Sequence, residues 1–129
     1  MDVSAMAQQA LRLQKAGDFA GAEKLYAQLL KRVRDNPALW FNHALVLRDL
    51  SRPAEAVAGF DRVLELIPAA SPQVAEVLNE RAGALMALDR FEEALIALDR
   101  AISLRAGYAG ALANRGRALK ELKRPQEAL

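Results

Sequence analysis

Four sets of residues recur along this chain with the same irregular spacing. Ala22, Ala56, Ala94 and Ala128 are separated by 34, 38 and 34 residues. Phe19, Pro53, Phe91 and Pro125 repeat those steps, as do Leu13, Leu47, Leu85 and Leu119, and also Ala10, Ala44, Ala82 and Gly116. Agreement of four columns on one uneven set of steps marks an internal repeat, and a period in this range marks stacked supersecondary units. The units run over 3–36, 37–74, 75–108 and 109–129, the last incomplete.

Each unit holds two helical patterns. In the second, Trp40, His43, Ala44 and Leu47 fall at helical spacing in a first helix (A), and Ala56, Phe60, Val63 and Leu64 in a second (B). Asn36-Pro37 reads as a helix cap followed by a first-turn proline. Gly17-Asp18 and Ser51-Arg52-Pro53 punctuate A-to-B turns, and Pro68 ends a B helix. The small residues of the Ala10 and Ala22 columns let A and B approach closely, while Phe19, Phe91, Tyr26 and Phe60 fill the space around them. A lone hairpin of this size cannot bury its apolar face and must stack on a neighbour.

The stretches "LWFNHALVL", "DRFEEALIALDRAISL" and "ALANRGRAL" carry Trp40, Phe91, Ala94 and Gly116 at places that resemble the tetratricopeptide repeat family. The resemblance covers the whole chain. It implies an all-α, right-handed superhelical solenoid of antiparallel helix pairs, about 3.5 repeats and seven helices in one domain over 1–129. The sequence departs from the family at Gln9, in a usually aliphatic column, and at Pro53 and Pro125, where an aromatic is common. The four extra residues of the 38-residue step lie in "PAASPQV"; Ser71-Pro72 reads as a fresh cap, so the third A helix is expected to start near Pro72, one turn longer than the others.

Composition removes most chemistry. With no cysteine, disulfides and thiolate sites are excluded, and the single His43 makes a histidine zinc site implausible. The glycines are scattered, with no phosphate-binding loop; His43 reads as a packing residue, and Glu92 and Glu93 as first-turn acids facing a helix dipole. No catalysis, cofactor or metal is expected. The net charge of +2 is spread without like-charge blocks, which argues against a nucleic-acid partner. With no signal-like start and no apolar run long enough to span a bilayer, a cytoplasmic protein without membrane contact is expected.

The expected partner is a protein or peptide, because the resemblance implies that A helices line a concave, ligand-binding groove. Gln8, Asn42, Glu80 and Asn114 then form one polar column, and an amide can pair with any peptide backbone. Beside it lie the columns Ala7, Phe41, Asn79 and Ala113; Leu11, Leu45, Gly83 and Arg117; and Gln14, Arg48, Met86 and Lys120. Peptide-binding candidates are therefore Gln8, Phe41, Asn42, Leu45, Arg48, Asn79, Glu80, Met86, Asn114 and Arg117. A solvent-facing column, or a bond to the neighbouring repeat, is the alternative for the amides.

Family members that hold a C-terminal carboxylate would place its ligands at Ala7, Leu11, Asn42, Glu76 and Glu80, where only Asn42 fits. The two glutamates favour a basic or neutral ligand. Asn42 and Asn114 resemble the asparagine ladder of O-linked N-acetylglucosamine transferases and similar bacterial proteins, which implies a substrate-recruiting arm of a larger enzyme; a self-assembly or spacer solenoid is the third reading. The incomplete last unit suggests the N-terminal part of a longer protein. Its A helix is expected to pack through Leu112 and Leu119 and to stay open near Ala118 and Leu122, giving a homodimer through the C-terminal end or fraying after about Leu122.

Overall fold

The computed structural model describes residues 2–122. Seven helices account for most of them, with no strand among the described residues: α1 (Val3–Lys15), α2 (Phe19–Arg32), α3 (Pro37–Asp49), α4 (Pro53–Leu66), α5 (Val74–Ala87), α6 (Phe91–Leu104) and α7 (Ala109–Glu121). The chain divides into two compact units, Met1–Ile67 with α1–α4 and Pro68–Leu129 with α5–α7. The B helix expected from Pro125 onward, and Ala128 with it, lies outside the described residues.

Each A-to-B turn is built the same way. Gly17, Ser51 and Asp89 occupy equivalent repeat positions and all adopt positive φ, at 84°, 60° and 59°. Their amides donate to Gln14, Arg48 and Met86, and the amides one residue later donate to Leu13, Leu47 and Leu85, each at 2.9 Å. These paired bonds satisfy carbonyls that a helix end would otherwise leave unmet. The third residue of each turn then starts the partner helix, and a connection this short forces antiparallel neighbours. Glycine takes the left-handed conformation without steric penalty and serine does not. Ser51→Gly should therefore raise stability by about 0.5–1 kcal/mol, after allowing for glycine's greater freedom in the unfolded chain. A urea midpoint that falls on this substitution would contradict that account of the turn.

The small columns are fully buried: Ala10, Ala44 and Ala82 on the A side, and Ala22, Ala56 and Ala94 on the B side, all at zero exposure. In the first unit the α3–α4 crossing is so close that a Cβ added to Gly59 would come 3.0 Å from that of Ala44. Tyr26 and Phe60 fill the adjoining space and are buried, whereas Phe19 and Phe91 are half-buried. Asn36 caps α3 as expected, its Oδ1 accepting from the amides of Ala38 and Leu39, with Pro37 in the first turn.

Three expectations need correction. Helix α5 begins at Val74 rather than near Pro72. The inserted residues instead make two successive turns, with Ser71 donating its amide to Pro68 and Val74 donating to Ser71. The Ser71 hydroxyl accepts from Gln73 inside that turn, at 3.2 Å, so its capping capacity is used before the helix starts. Leu112 is not buried in the α6–α7 contact as expected but 48% exposed, while its neighbour Ala111 is fully buried. Ala118 is not open: it is fully buried with Leu95 and Leu119, and Leu122 packs half-buried against the same cluster.

Candidate functional site

In the first unit, Phe41, Leu45 and Arg48 share one stripe of α3, since i, i+4 and i+7 lie on one helix face. All three are half-buried. Phe41 is not clear of the core: its ring meets the fully buried Phe60 edge-on, with centroids 5.7 Å apart. Arg48 lies 3.8 Å from Asp49. Gln8 is exposed on α1.

Asn42 is engaged inside the unit. Its side chain hydrogen-bonds the Tyr26 hydroxyl, which in turn donates to Gln14 Oε1 at 2.7 Å. Burial pushes the Tyr26 hydroxyl above its ordinary pKa, while the Asn42 bond pulls it the other way. A buried hydroxyl must be paired, and Asn42 and Gln14 do this for Tyr26.

In the second unit the amides pair with each other. Asn114 Nδ2 donates to Asn79 Oδ1 at 2.9 Å, and Asn79 Nδ2 donates to Tyr108 Oη at 3.4 Å. Asn79 is the one buried polar residue among those described, at 8% exposure. This network ties α5 to α7 and is the neighbouring-repeat bond weighed as the alternative for the polar column. Glu80 is half-buried beside it.

A recess of about 580 Å³ opens in the same unit between α5 and α7. Gly83, Met86 and Ala87 supply its floor with Phe91, and Arg117, Lys120, Asp89 and Glu121 its rim. Met86 and Phe91 lean on the Leu95–Ala118–Leu119 cluster, so that floor is anchored. A Cβ at Gly83 would meet nothing within 4 Å, which leaves open space above the helix. Sequence columns had placed Gly83, Met86, Arg117 and Lys120 side by side; Asp89 and Phe91 enter because the α5–α6 turn folds back beside them. With two cations and two acids at the rim, the recess does not select one sign of charge.

A second recess, of about 310 Å³, lies in the first unit between α2 and α3. Sequence reading did not find it. His43 forms part of its wall and contacts Glu23, Nε2 to Oε2 at 3.0 Å. Among the described residues there is no cluster of three or more acids, histidines or cysteines able to hold a metal, and no helix long and apolar enough to cross a membrane.

None of the curated proteins matches this chain in sequence. Solved structures do match its fold. The crystal structure of MamA is 24% identical with a TM-score of 0.82, covering 92% of this chain and 67% of that one. The first TPR of Spaghetti (RPAP3) bound to HSP90 peptide SRMEEVD is 20% identical at TM-score 0.83, covering 94% and 93%. The Arabidopsis OM64 TPR domain is 18% identical at TM-score 0.81, covering 92% and 94%. At these identities the likeness is one of fold. Two family models, both described as tetratricopeptide repeat, match residues 8–75 and 75–108. Repeat spacing, helix pairs and family models converge, and the chain belongs to the tetratricopeptide repeat family with its all-α solenoid fold.

Proposed function

We propose that the chain is a protein-interaction scaffold whose A helices hold an extended peptide or a segment of a partner protein. The observation that carries this reading is the recess at Gly83, Met86, Phe91, Arg117 and Lys120, an apolar floor with charged groups at its edge. Arg117 and Lys120 form no ion pair among the described residues, so their donors are available to a ligand. A family neighbour solved with the HSP90 peptide SRMEEVD supports the peptide-holding role of the fold. Its acidic ligand does not carry over, because the carboxylate-holding positions here include Ala7, Leu11, Glu76 and Glu80.

In this proposal Met86 and Phe91 seat an apolar ligand side chain, and Arg117 and Lys120 donate to backbone carbonyls beside it. Phe41, Leu45, Arg48 and Gln8 offer contacts of their own on the first unit. Asn42 in the first unit, and Asn79 and Asn114 in the second, act as internal pins that position these faces, with Glu80 beside the second pair. Asn42 and Asn114 have internal partners, and a substrate-recruiting arm of a larger glycosyltransferase-like enzyme is the second reading. The repeat division at 3–36, 37–74, 75–108 and 109–129 belongs to the same proposal.

The test is selection of a binding peptide from a random displayed library, followed by NMR mapping and titration. Shifts should cluster at Gly83, Met86, Arg117 and Lys120. Arg117→Glu with Lys120→Glu, both at exposed sites, should weaken binding about tenfold or more without changing the fold. Undiminished affinity in that variant would sink the proposal.

A further inference from the structure

The recess between α2 and α3 has no role in the reading above, and we propose that it is a second docking site. Its occupant is an acidic peptide segment that inserts one apolar side chain and places carboxylates on the rim. Ala27 and Leu30 form the floor and Trp40 a wall, with Lys31, Arg34 and His43 around the mouth. The Trp40 indole donates to the Arg34 carbonyl at 2.8 Å, and Arg62 stands 6.0 Å from its ring centroid. The ring is therefore held in place although half-exposed. Lys31 and Arg34 form no ion pair among the described residues. His43 already has Glu23 as its partner and forms part of the wall.

The α6–α7 junction lacks the residues that form this recess. Two repeats on, the positions of Ala27, Trp40 and His43 are held by Asp99, Leu112 and Arg115. There Arg115 Nε donates to Asp99 Oδ1 at 2.7 Å, and the ion pair spans the space that Ala27 leaves open. A small residue, a ring and two cations have replaced a closing salt bridge. At 3.6 residues per turn, His43 lies roughly 160° around α3 from Phe41 and Leu45, so the recess faces away from the stripe assigned to the peptide groove. A partly open wall of Trp and Leu suits an aliphatic or aromatic anchor, and bordering Lys and Arg suit carboxylates on either side of it.

Trp40 is the only tryptophan of the chain, so its fluorescence reports occupancy directly. The full chain would be titrated with N-acetyl-Asp-Leu-Asp-Glu-amide, and with N-acetyl-Lys-Leu-Lys-Lys-amide as control. The acidic peptide should give a saturable emission change at concentrations up to about 1 mM, and the basic one none. Lys31→Ala with Arg34→Ala should weaken binding about tenfold, since each lost charge-assisted bond matters at that scale. Ala27→Asp with His43→Arg should abolish it while keeping the fold, because the chain already uses that pair at Asp99 and Arg115. Arg117→Glu, which impairs the other recess, should leave this peptide's emission change in place. The proposal is overturned by the absence of saturation, by an equal response to the basic peptide, or by loss of the signal in Arg117→Glu, which would place the peptide in the other recess.

Discussion

Phe60→Ala should lower unfolding stability by about 3–5 kcal/mol, the range for truncating a buried aromatic. Phe60 has no solvent exposure and fills the space beside the α3–α4 crossing. The cost of such a truncation depends on whether the neighbours can close over the cavity. Here they have little room, because Gly59 already brings α4 against Ala44, with only 3.0 Å to an added Cβ. The Phe41 ring, which meets Phe60 at 5.7 Å, also loses its edge contact. Phe60→Leu should cost distinctly less, since it refills much of the volume. Urea unfolding followed by circular dichroism measures both, and a loss below about 1 kcal/mol for Phe60→Ala would mean that the crossing is looser than its geometry implies.

Asn79→Ala should cost about 1–3 kcal/mol, the penalty for leaving partnered polar groups unmet. Asn79 sits at 8% exposure, accepting from Asn114 and donating to Tyr108. Gly110 makes room for it: a Cβ there would lie 3.3 Å from Asn79 Nδ2. Removing Asn79 strands the Asn114 amide and frees Tyr108. A double-mutant cycle with Asn114→Ala should return a coupling of about 0.5–1.5 kcal/mol. If Asn114 instead served only a bound peptide, Asn114→Ala would leave stability untouched and the coupling would vanish. The cycle thus separates an internal pin from a ligand hook at the position where sequence alone left both open.

Helix number, turn positions and close-packed columns were legible in the sequence because each is set by a local rule that the repeat states several times. A small residue recurring as Ala10, Ala44 and Ala82 has to mark a close helix approach, and all three are fully buried. Gly17 and its equivalents Ser51 and Asp89 close the three A-to-B turns with the same left-handed residue and the same paired amide bonds. Asn36-Pro37 carries its own capping geometry. What the tertiary structure alone decided depends on partners distant in sequence. Asn42 and Asn114 look alike in the repeat frame, yet one serves the Tyr26 hydroxyl and the other Asn79. The inserted residues turned before α5 instead of lengthening it, since Ser71 found its bond within the loop. The recess beside Trp40 exists because Ala27 is too short to reach across to α3, as Asp99 does to Arg115. Hydrogen bonds and gaps of this kind are set by where two helices meet, and no periodicity along either helix records that distance.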